Sequence, residues 1–302
     1  MVKIKVPATS ANMGPGFDSL GIAVGMYNSI ELTETGAGFT VVTGKDRREV
    51  PVNDYNMIYR AITTVFDKVG YNSEGVRISQ NSNIPVTRGL GSSSACIIGG
   101  MLGANVISGR KLNYGEILDL AASMEGHPDN VTPALYGGFC TSVYDGGKVY
   151  FTTTKITMPI KVAVMFPDYP MQTRESRKVV PDNFSKNDAI YNISRASMLV
   201  SALTSGQVEL LKVACQDRLH QQYRLGYIHG GEELMNLTYN FGAYATYLSG
   251  SGPSLVSFIA ADNDSFARNI NNYFNNELVG WKCRILPIDN VGSVVLETNQ
   301  EY

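Results

Sequence analysis

The sequence predicts an α+β protein of two domains, and three observations carry that expectation. Its 302 residues are about twice the usual ~150-residue domain. Runs with the period of a strand alternate with runs of helical period in short units along the chain. Around residues 155–160 the sequence turns polar and a fresh strand pattern begins, which sets a boundary between a unit at 1–157 and a unit at 158–302.

Taken in order, Val2-Lys3-Ile4-Lys5-Val6 alternates and meets Pro7, ahead of a polar, glycine-rich stretch that ends at Gly21. That predicts a strand, a long loop and a second strand. Residues 27–35 and 39–43 read as strands joined through Gly36-Ala37-Gly38, a hairpin signal. In 56–70 the apolar residues Ile58, Ala61, Ile62, Val65, Phe66 and Val69 fall on one helical face, and Gly70 ends it. Val76-Arg77-Ile78 is a short strand. Residues 92–108 are small and apolar nearly all round, as in a buried helix, and 114–125 form an amphipathic one. Alternation returns over 140–151 and again at 161–166. The second unit offers helices near 188–204, 208–214 and 232–241, and strands near 245–248, 255–259 and 283–287.

Composition narrows the function. Apolar residues make up 44% and charged residues 17%, which excludes a disordered chain. A net charge of −2 with scattered basic residues excludes nucleic acid as the main partner. Cys96, Cys140, Cys215 and Cys283 are far apart and match no zinc spacing, so they read as free thiols. No apolar run reaches the ~20 residues of a membrane span. The chain enters a strand directly after Met1 without a signal-peptide pattern, and a cytoplasmic location is expected.

The segment with the most chemical content is Pro85-Val86-Thr87-Arg88-Gly89-Leu90-Gly91-Ser92-Ser93-Ser94-Ala95, a glycine loop feeding a helix. The first amides of a helix lack internal partners and the macrodipole adds positive charge there, so such a loop suits phosphate. Serine hydroxyls at that point can bond phosphate oxygens or help to hold Mg²⁺. A Walker A loop is excluded because no lysine follows the glycines. The plain alternative is a tight turn with a serine cap.

Two further segments complete an ordered pattern, Pro7 through Gly21 with its Asn12-Met13-Gly14-Pro15-Gly16-Phe17-Asp18 core, and Leu248-Ser249-Gly250-Ser251-Gly252-Pro253-Ser254. Together the three resemble the GHMP kinases, the galactose, homoserine, mevalonate and phosphomevalonate kinase superfamily. The likeness is closest to its homoserine kinase family, through the first segment and Glu125-Gly126-His127-Pro128-Asp129-Asn130. It spans roughly residues 3–291, with further matches at 172–177 and 217–224.

The resemblance implies a two-domain GHMP kinase fold: an ATP-binding α+β domain with the glycine loop, then a ferredoxin-like α/β sandwich. It implies ATP and Mg²⁺ as cofactors, L-homoserine as substrate and a homodimer. Residues 85–95 become nucleotide contacts, with Asn56 near the nucleoside, although a helix cap explains Asn56 equally well. Ser92, Ser93 and Glu125 become the metal site, with Asp119 or Glu116 as alternatives to Glu125. Arg177 and Arg224 clamp the substrate carboxylate with help from Thr173. Asn12, Asp18, His127, Asp129 and Asn130 line its amine and hydroxyl end, and Asp18, Asn12, Asn130 and Asp129 are the candidate catalytic residues. Whether Asp18, Asp129 or the γ-phosphate oxygens take the hydroxyl proton stays open. Two rivals are a kinase of mevalonate or a sugar, which lack the ammonium that Asp18 would meet, and a catalytically silent ATP sensor.

Overall fold

The computed structural model describes residues 1–44, 48–50, 53, 56–171 and 173–297, with the backbone alone for 48–50, 173, 174 and 297. In the first half lie β1 (Val2–Ala11), β2 (Leu20–Glu34), β3 (Thr40–Thr43), β4 (Arg48–Val50), α1 (Met57–Val69), β5 (Val76–Ser82), α2 (Ser92–Ile107), α3 (Tyr114–Glu125), α4 (Val131–Tyr136), β6 (Phe139–Asp145) and β7 (Lys148–Thr154). The second half holds β8 (Ile160–Pro167), α5 (Thr173–Lys178), α6 (Lys186–Ser205), α7 (Leu211–Ala214), α8 (Gln221–Leu225), α9 (Gly231–Asn240), β9 (Ala243–Leu248), β10 (Leu255–Ala260), α10 (Asp264–Asn276), β11 (Trp281–Leu286) and β12 (Val294–Glu297).

The first sheet runs β12-β1-β2-β5-β3-β4, with the β6–β7 hairpin also on β2. Strand β12 comes from the far end of the chain and lies antiparallel to β1, tying the terminus back to the first unit. The hairpin expected across Gly36-Ala37-Gly38 does not form. Strand β5 inserts between β2 and β3, antiparallel to the first and parallel to the second. The glycine turn instead bonds the 74–75 backbone, Thr35 N–H to Gly75 C=O and Gly38 N–H to Glu74 C=O. A turn signal marks where the chain reverses, but the longer antiparallel register of β5 took the neighbouring edge.

The second sheet is fully antiparallel in the order β11-β8-β10-β9. With helices between β8 and β9 and between β10 and β11, this is the ferredoxin-like arrangement. One face of the sheet (Val162, Val164, Tyr247, Phe258) joins the core that also holds α6, α7 and the first unit. The other (Ala163, Met165, Leu248, Leu255) packs with Leu234 of α9 and with Phe266, Ile270 and Phe274 of α10.

Helix α2 sits at the centre of the first unit, and Ala95, Ile97, Ile98, Met101 and Ala104 are all fully buried. A side chain at Gly100 would meet the Ile58 carbonyl of α1 at 2.9 Å, so glycine lets the two helices touch. Ser92 and Ser93 of the first turn of α2 line a cleft together with residues from both halves of the chain.

Candidate active site

The cleft is lined by residues 86–93 of the glycine loop, by Asn12 and Asp18, by Glu125, His127, Asp129 and Asn130, and by Arg177, Arg224, Gly250 and Ser251. Sequence segments from six places in the chain therefore meet in one cavity.

At the loop end, Gly91 stands at the N-cap of α2 with φ +65°, and no side chain caps the helix. The plain reading of a serine-capped turn is thereby set aside, and the first amides of α2 are left for another acceptor. Gly89 has φ +69°, and a Cβ there would strike the Ser249 carbonyl; at Gly91 it would strike the Thr9 hydroxyl. The third segment acts as a buttress. Ser249 Oγ donates to Gly89 C=O (2.6 Å), and Ser254 Oγ donates to Arg88 C=O (2.5 Å). The Arg88 guanidinium is held by the carbonyls of Pro167, Val86 and Asp168, so it braces the loop. Pro85, Ser94 and Ala95 are not among the lining residues, and Ser94 and Ala95 are fully buried.

Glu125 closes α3 beside this turn and accepts a hydrogen bond from Ser93 Oγ at 3.1 Å. Burial raises its pKa above the carboxylate range, while the His127 ring and the Ser93 hydroxyl pull it back. The Ser94 hydroxyl is fully buried near the Glu125 carboxylate, with no partner in good hydrogen-bond geometry among the described residues. A carboxylate, serine oxygens and an orphaned hydroxyl at a helix N-terminus form a hard-oxygen donor set that fits Mg²⁺ with phosphate. The alternatives to Glu125 are engaged elsewhere: Glu116 closes the capping box of α3, and Asp119 accepts from Val149 N–H at 2.8 Å. Asn56 is the N-cap of α1, its oxygen accepting from Ile58 and Tyr59 N–H, and it is not part of the cleft lining.

The other end of the cleft is made of side chains. Asp18 and Arg177 form a two-pronged ion pair, with N–O distances of 2.7 and 3.0 Å. That pair was not foreseen, since both residues were expected to face substrate. Asn12 uses both polar atoms, its amide donating to Gly250 C=O and its oxygen accepting from Asp18 N–H. Asn130 accepts from the Thr9 hydroxyl at 2.8 Å. His127 Nδ1 lies 2.5 Å from Asp129. Burial disfavours a charged His127 ring, but the Asp129 bond and the nearby carboxylates outweigh it and raise its pKa. Arg224 is 2% exposed and donates to the carbonyls of Ser176 and Gly250. Burial and the neighbouring Arg177 push its pKa down to about 10. Its Nη2 group makes no hydrogen bond among the described residues. Thr173 opens α5, and its side chain lies outside the described residues.

Gly250 and Ser251 line the cleft and were not foreseen as site residues. Their place in a glycine-serine turn was the available signal. Ser176 was missed as well; it bonds Ser251 C=O at 2.6 Å and carries the carbonyl that holds Arg224.

An uncapped helix start facing a cleft of cations and carboxylates is the arrangement of a small-molecule kinase, and the model of the GHMP kinases N terminal domain matches residues 56–138. A solved structure titled as homoserine kinase from Cytophaga hutchinsonii superposes with a TM-score of 0.86 at 25% identity, covering 98% of this chain and 97% of that one. Homoserine kinase from Clostridium beijerinckii is 42% identical over 298 residues, 98% of this chain and 99% of its own length. That from Caldicellulosiruptor bescii is 42% identical over 297 residues, 98% and 97% of the two chains. The chain belongs to the homoserine kinase family.

Proposed function

We propose that the protein transfers the γ-phosphoryl group of ATP to the side-chain hydroxyl of L-homoserine, giving ADP and O-phospho-L-homoserine for threonine biosynthesis. The observation that carries this reading is the cleft itself, with an uncapped helix N-terminus at one end and a paired carboxylate and guanidinium at the other.

Gly89, Gly91 and Ser92 to Ser94 hold the phosphates through backbone and hydroxyl groups. Glu125, Ser92 and Ser93 would hold Mg²⁺, which neutralises phosphate charge when bound. The acceptor is a zwitterion. Asp18 meets its ammonium, while Arg177 and the free N–H groups of Arg224 meet its carboxylate. Asn12, His127, Asp129 and Asn130 border the hydroxyl. Thr173 belongs to the carboxylate end by the same reading, and Asn56 to the nucleoside end.

Phosphoryl transfer passes through a loose transition state, so positioning and charge neutralisation supply most of the acceleration. Asp18 is paired with Arg177 in the free protein and with the substrate ammonium once that is bound, and Asp129 is bonded to His127, so neither is an obligatory base in this reading. Asp18→Asn is expected to slow saturated turnover by less than about 10⁴-fold; a larger loss with unchanged substrate binding contradicts this.

No helix among the described residues is long and apolar enough to cross a membrane. The proposal also takes the enzyme to be a cytoplasmic homodimer divided near residue 157, and light scattering tests its oligomeric state. The activity is tested by ADP release with MgATP against L-homoserine, mevalonate, phosphomevalonate, galactose and L-threonine in parallel. Strong preference for L-homoserine is expected, and turnover of another alcohol alone overturns the substrate.

A further inference from the structure

The loop that carries Asp18 is strained. Asn12, Met13 and Asp18 all have positive φ, at 65°, 49° and 55°. Each such residue costs on the order of 1 kcal/mol and persists only where its surroundings hold it. Besides hydrogen bonds within the loop, such as Gly16 N–H to Asn12 C=O and Asp18 N–H to the Asn12 side chain, contacts from the second half of the chain hold it. Gly250 C=O accepts from the Asn12 amide, the Asn192 amide donates to Pro15 C=O (3.3 Å), and His220 bonds Gly14 C=O (2.8 Å).

His220 stands apart because it contacts both the loop that carries Asp18 and the Arg224 guanidinium. Its ring is fully buried and stacks on Phe17, next to Asp18, with centroids 5.2 Å apart. Its Nδ1 lies 3.2 Å from Arg224 Nη1. A guanidinium only donates, so Nδ1 is the acceptor and Nε2 carries the hydrogen given to Gly14. The ring is therefore neutral and held in one tautomer. Asp217 fixes the ring's backbone by accepting from the N–H groups of His220 and Gln221.

We propose that His220 is a positioning residue for acceptor binding: through one neutral imidazole it sets the Asp18 loop and the Arg224 guanidinium at a fixed spacing. It touches no reacting atom and lies outside the phosphate-binding loop. This rests on the homoserine reading given above.

The test compares steady-state kinetics of His220→Leu, His220→Asn and His220→Gln with the wild type. Leucine fills the space but bonds neither partner. Asparagine is too short to span both, and glutamine can accept from Arg224 while donating to Gly14. Both Leu and Asn are expected to raise KM for L-homoserine at least about tenfold while KM for ATP stays within about twofold, and Gln is expected to restore most of the difference. If the leucine variant does not fold, as judged by its melting curve, the asparagine variant decides. Unchanged homoserine KM in a folded variant, or an equal rise in both KM values, overturns the inference alone. A wild type that does not turn over L-homoserine overturns the functional reading and this inference with it.

Discussion

The two ends of the cleft are built from different materials. In the proposed reading, the recognising groups at the nucleotide end are backbone amides at the start of α2, shaped by Gly89 and Gly91 and braced by hydroxyl-to-carbonyl bonds from Ser249 and Ser254. At the acceptor end they are charged side chains gathered from four separate stretches, Asp18, Asp129, Arg177 and Arg224. A backbone site is encoded within a dozen consecutive residues. A side-chain site exists only after both units have packed, and its parts must be held in place by other buried groups such as His220.

The contrast predicts that damage at one end stays there. Gly91→Ala forces a Cβ into the Thr9 hydroxyl and a left-handed backbone on alanine, and it is expected to lower kcat/KM for ATP by about 10²–10³-fold. Full activity of the folded variant would dissolve the distinction. Arg224→Ala removes a buried guanidinium and leaves the Ser176 and Gly250 carbonyls without it. It is expected to raise KM for L-homoserine by about 10²-fold with KM for ATP nearly unchanged.

A smaller effect sharpens the picture through pH. The folded-state pKa of His127 is raised, so the folded protein binds its proton more tightly than the unfolded chain. Its contribution to stability is fully present below the unfolded value near pH 6.5 and is lost as pH rises through the folded value. In His127→Gln, the melting temperature is expected to lose that part of its decline above about pH 6.5; an identical pH profile in both proteins contradicts the assignment. Smallest of all, Lys178→Ala breaks an ion pair with Glu175 in which both side chains are about 60% exposed. A change of at most about 0.5 kcal/mol in unfolding free energy is expected, because solvent screens such pairs.

The same contrast explains what could be read from the sequence. The 3.6-period of 56–70 and the all-apolar 92–108 stretch located α1 and α2 to within a residue or two, because caps and burial leave local marks. Strand neighbours left none, so β5 between β2 and β3, and β12 beside β1, appear only in the fold. Helix α10 was missed although Phe266, Ile270 and Phe274 recur at helical spacing behind an Asn263 cap. In the site, the glycine loop by itself read as a phosphate cradle or as a plain serine-capped turn, and the two further segments of the family pattern were needed to favour the first. The role of each charged residue came from family resemblance, and the Asp18–Arg177 pair, which depends on contact across 159 positions, had no local signature.

The most direct test is a crystal structure with L-homoserine and a non-hydrolysable ATP analogue. The account predicts the γ-phosphate mimic at the first turn of α2 beside Gly89 to Ser93, the amino-acid carboxylate on Arg177 and Arg224, and the hydroxyl directed at the phosphate. An analogue seated away from α2, or an amino acid bound with the Asp18–Arg177 pair still closed and Arg224 untouched, would contradict it.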